Sequence, residues 1–162
     1  MRNKNLLKGL SVIMVISFMA CTPQKPAPVV IDKEQIKKDI QDKENEFAAT
    51  YNSGILKNIG YYADDAISFS QNKPALVGKE AIVQFLKAGM DSSSLGNQIT
   101  FVTNEVFPSN DGNQVVEIGY YTLVDSAKVP INTGNYMVLF EKRDGKYVTV
   151  RDMSASDMPI AY

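Results

Sequence analysis

The sequence predicts an α+β domain in which three N-terminal helices pack on a curved antiparallel sheet. Three observations carry this. Apolar residues recur with a helical period between Asp32 and Leu86. From Gln98 onward the period changes to the alternation of strands. Turn residues then separate long strands in the manner of a meander, and helices followed by a run of strands is the α+β pattern. With 44% apolar residues among 162, the chain can bury one core in one domain.

The first helix opens at Asp32. Ile36, Ile40, Phe47 and Tyr51 recur at spacings of four, seven and four and share one face. Lys33, Lys37, Asp39, Lys43 and Glu46 populate the others. Asn52-Ser53-Gly54 stops the helix, with Gly54 suited to the left-handed residue that follows a helix end. A short second helix is expected from Ile55 to Tyr62, ended by a turn at Ala63-Asp64-Asp65. Ala66 to Ser70 alternates as a short strand. Gly78-Lys79-Glu80 precedes a third helix, with Ala81, Ile82, Phe85 and Leu86 on its apolar face and Glu80 favoured by the helix dipole. Asp91 to Gly96 reads as a loop. Four strands follow, Ile99 to Phe107, Gln114 to Asp125, Asn135 to Lys142 and Tyr147 to Met153. Their connections are the Asp111-Gly112 turn, a loop from Ala127 to Gly134, and the tight turn Arg143 to Lys146.

Ahead of the domain the composition changes. Arg2, Lys4 and Lys8 precede an apolar run from Leu10 to Ala20, too short to span a bilayer comfortably and shaped like a secretory signal. Cys21, the one cysteine of the chain, follows directly. The arrangement resembles the lipobox of bacterial lipoproteins, although Phe18 and Met19 stand where that motif has leucine and a small residue. The resemblance implies cleavage before Cys21 and acylation of it, with multiple acyl chains giving stable anchoring. Residues 1–20 are then a signal peptide, 21–31 a lipidated, proline-rich tether and 32–162 the domain. The residues after Cys21 are not acidic. Localisation in the cell envelope, lipid-anchored to the outer membrane, is therefore the expectation.

Composition excludes several chemistries. There is no histidine, which removes histidine metal sites, Ser-His-Asp triads and Cys-His dyads. Carboxylate-only sites for hard cations stay open in principle, but no P-loop, GxGxxG or EF-hand spacing occurs, and neither a cofactor nor a metal is expected. Taking the three basic leader residues from 17 leaves 14 against 18 acidic ones, a net charge of about −4 that offers no footprint for nucleic acid.

Several motifs occur in a characteristic order: FAATYNSG from Phe47, YYADDA from Tyr61, VGKEAI from Val77, EIGYYT from Glu117 and GKYVTVRDMSASD from Gly145. In order and spacing they resemble the NTF2-like superfamily, and within it the SnoaL-like and DUF4440 branch, over about Asp32 to Asp157. The resemblance implies a cone-shaped α+β barrel, a pocket between the first helix and the concave sheet, and frequent homodimers through the outer sheet face. It leaves function open, because the fold hosts isomerases, cyclases, dehydratases, hydrolases and non-catalytic association domains. The ketosteroid isomerase set is not conserved in type: its tyrosine falls on Phe47, its base on Ser70, and its oxyanion-hole aspartate near Tyr136. Phenylalanine donates no hydrogen bond, and serine alone is a poor base.

The candidate pocket residues are Phe47, Tyr51, Tyr62, Glu117, Tyr121 and Asp152. Glu117 and Tyr121 share a strand face with Gly119, and Tyr120 lies opposite. An inward Asp152 beside tyrosines could hold a polar ligand group. Against this, strand tyrosines commonly serve as half-buried packing. Arg151 and Asp152 suit an ion pair or a solvated face. Three functions follow: a small, largely apolar ligand bound in the pocket; an isomerase, cyclase or hydrolase using Asp152 with tyrosine donors; or a structural dimerisation module with a collapsed cavity.

Overall fold

The computed structural model describes residues 30–56, 59–92 and 96–159. The leader, Cys21 and the prolines of the tether lie outside them. The elements in chain order are α1 (Lys33–Asn52), β1 (Tyr62–Ser70), β2 (Leu76–Val77), α2 (Lys79–Ser92), β3 (Gln98–Pro108), β4 (Gln114–Val124), β5 (Pro130–Arg143) and β6 (Lys146–Ser156). The six strands form one sheet in the order β2-β1-β6-β5-β4-β3.

α1 starts as its sequence dictates. The Asp32 carboxylate accepts from the Gln35 N–H at 3.0 Å, satisfying one of the unpaired donors of the first turn, and Glu34 sits at the positive end of the dipole. The helix stops at Gly54, whose φ of +75° suits a residue without Cβ. Its inner face buries Ile36, Ile40, Phe47 and Ala48. One carboxylic acid, Glu44, is buried with them.

Two of the expected helices exist among the described residues, not three. Leu56 and Ile59 reach the core from irregular chain, and none of the described residues between Ile55 and Tyr62 is helical. Gly60 breaks helical continuity, and the adjacent aromatics favour extended backbone. The Tyr61 carbonyl accepts from the Thr149 N–H at 2.8 Å, which draws this stretch alongside β6. β1 therefore begins at Tyr62, and Asp64 and Asp65 lie inside a strand instead of capping a turn. A register shift between Tyr62 and Ile67 lets both point to solvent. There Asp65 takes both outer guanidinium nitrogens of Arg143, at 2.6 and 3.1 Å. The remaining expected helix, α2, is not N-terminal to the sheet but follows β1 and β2.

The expected sheet is also corrected at one place. β2–β1, β6–β5, β5–β4 and β4–β3 are antiparallel, but β1 runs parallel to β6. Tight turns force antiparallel pairing only between strands adjacent in sequence; β1 and β6 are separated by most of the domain. The three hairpins that join β3 to β6 follow the local sequence. Asp111 accepts from the Ser109 hydroxyl and from the Asn113 main chain and side chain, which holds its carboxyl down at about 2. Asp144 and Gly145 both have positive φ, the geometry of a two-residue hairpin turn.

β3 is the sheet edge that α1 covers, and α1 does so with polar side chains. The Asn52 amide donates to the Ile99 carbonyl at 2.9 Å and accepts from the Ile99 N–H at 2.8 Å. The Gln41 amide donates to the Phe101 carbonyl at 3.1 Å and accepts from the Thr103 N–H at 2.8 Å. The Lys37 ammonium donates to the Asn104 carbonyl at 2.8 Å. These side chains take the place of a seventh strand, blocking an edge that would otherwise pair with another chain. They also fix the position of the C-terminal half of α1 over the sheet. Replacing Gln41 and Asn52 together by alanine should lower stability by about 1–3 kcal/mol in urea denaturation. An unchanged midpoint would mean that α1 is held by its apolar face alone.

Candidate functional site

The inner face of α1 places Glu44, Phe47 and Tyr51 over the concave side of the sheet, at helical spacings of three and four. The Phe47 ring lies 4.5 Å from Tyr61 and 5.5 Å from Phe101, and meets Tyr62 edge-on at 6.0 Å. Phe101 in turn meets Tyr136 edge-on at 5.4 Å. These contacts form one aromatic wall. α2 closes the far side with Ile82, Phe85 and Leu86. Between them is a cavity of about 190 Å³. A larger hollow of about 690 Å³ between Leu56, Asp64, Lys79 and Gln84 is an open surface groove without a comparable network of buried polar groups.

Two glycines on the sheet make this wall possible. In the β4–β5 register Gly119 faces Tyr136, and Tyr121 faces Gly134. A Cβ on Gly119 would lie 2.1 Å from the Tyr136 ring, and one on Gly134 2.6 Å from the Tyr121 ring. Each tyrosine therefore lies flat over a glycine of the neighbouring strand, in two reciprocal pairs.

The floor beneath the aromatic wall is acidic. Three phenols each donate to a carboxyl group: Tyr61 to Glu44, Tyr136 to Glu117 at 2.9 Å, and Tyr62 to Asp152 at 3.0 Å. The Thr103 hydroxyl also donates to Glu117, at 2.6 Å. Glu44 is 1% and Glu117 0% exposed. Burial pushes the Glu44 carboxyl well above its ordinary range, and the neighbouring Glu117 pushes it further. Burial raises Glu117 as well, while its hydrogen bonds to Thr103, Tyr136 and Glu44 oppose the rise. The two acids titrate as a pair, and the pair keeps a proton where isolated carboxyls have lost theirs. A proton on Glu44 gives the second oxygen of Glu117 a partner; no other donor reaches that buried atom among the described residues. Burial raises Asp152 too, against hydrogen bonds from Ser68 and Tyr62. Tyr61 and Tyr62 are held well above the ordinary phenol range, by burial first and nearby carboxylates second.

Of the residues expected from the sequence, Phe47, Tyr51, Tyr62, Tyr121 and Asp152 line the cavity. Glu117 sits behind it, reaching the site through Tyr136 and Glu44. Ser70 and Tyr136 line it too. Asp152 is not on a solvated face. Its register partner Ser68 is buried, whereas Arg151 is exposed and donates to the Val150 and Asp65 carbonyls. Glu44 was not among the expected residues.

The fold now has known counterparts. A domain of unknown function with a cystatin-like fold from Nostoc punctiforme superposes with a TM-score of 0.67 at 10% identity, over 80% of this chain and 82% of that one. An NTF-2 like protein of unknown function from Shewanella oneidensis gives 0.60 at 23%, over 72% and 96%. A ketosteroid isomerase-like protein from Erwinia carotovora gives 0.59 at 16%, over 75% and 96%. The domain has the NTF2-like fold. No family model matches the sequence, and no curated protein matches it. At these identities the NTF2-like likeness is one of fold, so the chemistry of the site is read from its own residues.

The acid cluster makes a pH prediction with a definite sign. Acids raised by folding bind protons more tightly in the native state, so stability declines as pH rises from the ordinary carboxyl value of 4.5 through the native one. In urea denaturation between pH about 5 and 8, Glu44→Gln should flatten that decline, which approaches about 1.4 kcal/mol per pH unit for one group. Equal slopes in the two proteins would remove Glu44 as its source.

Proposed function

We propose that the cavity binds a small, largely apolar molecule without carrying out a reaction on it. The supporting observation is a cavity of about 190 Å³ whose walls are aromatic and whose floor phenols already donate to carboxyl groups. An apolar enclosure with few, placed polar groups is the usual form of a small-molecule site. Isomerase chemistry of the ketosteroid kind needs donors aimed at a developing oxyanion. Here Tyr61, Tyr62 and Tyr136 each spend their hydroxyl hydrogen on a carboxyl group. Phe47 and Ser70 add no replacement for the tyrosine and the base.

A second reading is supported by Asp152. It faces the cavity with Tyr62 on one oxygen, the arrangement an acid–base enzyme of the isomerase, cyclase or hydrolase kind would need. On that reading Asp152→Asn abolishes turnover of a substrate while leaving its binding intact.

The binding reading predicts saturable quenching of tyrosine emission by small aromatic alcohols, unobscured because the chain has no tryptophan. Val138→Phe, which fills the buried cavity wall, should abolish the quenching. Quenching that survives this change would place the ligand elsewhere.

We also propose that acyl chains on Cys21 hold the domain at the outer membrane, and that two copies pair through the outer sheet face. That face carries Phe69, Met137 and Met153, exposed to 45, 42 and 53%. Cys21→Ser should move the protein from the detergent phase to the aqueous phase on partition. Met137→Asp should convert a sedimenting dimer to a monomer. Unchanged partition or unchanged mass would overturn the corresponding part.

A further inference from the structure

We propose that the ligand of this cavity is a small primary amine with an apolar body, held through its ammonium group on Asp152. The proposal rests on the cavity being a ligand site and adds the chemical class of the ligand.

The hydrogen-bonding complement of the floor is one-sided. Tyr61, Tyr62 and Tyr136 donate to Glu44, Asp152 and Glu117, so the floor offers lone pairs and lacks spare phenol donors. Tyr62 donates to one Asp152 oxygen, Oδ2, and Ser68 adds a second hydrogen bond to the carboxyl group; Oδ1 is buried and accepts none among the described residues. A buried acceptor without a donor is costly, and a molecule that brings a donor as the Asp152 carboxyl group turns toward the cavity relieves the cost. A carboxylate or phosphate ligand would meet acceptors with an acceptor and add a negative charge to an acidic floor.

Charge narrows the class from donors to cations. The charged residues lining the cavity are Glu44 and Asp152, with no lysine or arginine among them. The neighbouring cation in sequence, Arg151, is exposed and donates to main-chain carbonyls, including that of Asp65. The ion pairs among the described residues are made by Asp64, Asp65, Glu46 and Glu141, not by the cavity acids. An alcohol would give Oδ1 a hydrogen bond but leave the carboxylate without a counter-charge. An ammonium supplies both, in a charge-assisted bond stronger than a neutral one. The walls suit the same group, because the faces of Phe47, Tyr51, Phe101 and Tyr121 attract a cation while covering an apolar body.

The test titrates the full-length chain with three probes of one shape: 2-phenylethylamine, 2-phenylethanol and phenylacetate. Binding is read by calorimetry at neutral pH. The amine should bind about tenfold or more tighter than the alcohol, and phenylacetate should not bind. Asp152→Asn, which keeps the size of the side chain, should erase the preference for the amine and leave the alcohol unchanged. The amine-to-alcohol ratio in the unaltered protein reads the proposal even if that variant fails to fold. Alcohol and amine of equal affinity, or a preference that survives Asp152→Asn, would overturn the amine assignment and leave the binding site standing. Saturation by none of the three would overturn both.

Discussion

The inner face of this domain depends on two buried carboxyl groups, Glu44 and Glu117, whose burial drives the pair to keep a proton. Glu44 comes from the helix and Glu117 from the sheet, each almost wholly out of water. Two ionised carboxylates at that depth would repel in a medium that screens poorly, and each would lose its hydration. With one proton between them the pair becomes a hydrogen bond across the interface of α1 and β4. Tyr61, Tyr136 and Thr103 satisfy the remaining oxygens. The phenols are thereby turned toward the floor, and the space above them is left to rings and aliphatic groups. The character of the cavity follows: aromatic walls over an acceptor-rich base.

The backbone supports this arrangement from both sides. On the helix side, Gln41 and Asn52 clamp α1 to the β3 edge, which sets the height of Glu44 and Phe47 above the sheet. On the sheet side, the reciprocal Gly119–Tyr136 and Tyr121–Gly134 pairs let two rings lie against the strands instead of standing into the hollow. Side chains at those glycines would push the rings upward, into the volume a ligand would use. The outer face of the same strands is free of this constraint and carries apolar residues such as Met137 and Met153.

Much of the architecture was legible because it is local. The Asp32 cap, the Gly54 stop, the three hairpins and the long strands after Gln98 are dictated by residues within a few positions of one another. The failures are non-local or fall between patterns. Tyr61 and Tyr62 were read as the end of a helix, yet pairing with β6 makes them the start of a strand. Nothing near β1 signals that it will run parallel to β6. Most of the cavity residues could be drawn from strand alternation and helix phase. Glu44 was missed because it occupies the gap between Ile40 and Phe47, four residues after one and three before the other. A carboxylate on an apolar helix face was the available signal. The Gly-x-Tyr spacing at Gly119–Tyr121 and again at Gly134–Tyr136 was also visible, but its meaning depends on the register that places each glycine opposite a tyrosine.

The shared proton is open to direct observation by infrared difference spectroscopy of the purified full-length protein at neutral pH. A carbonyl stretch of a protonated, buried carboxylic acid should be present in the unaltered chain and weakened by the Glu44 contribution in Glu44→Gln. A neutral-pH spectrum with fully ionised carboxylates, or a protonated band of undiminished intensity in Glu44→Gln, would contradict the account.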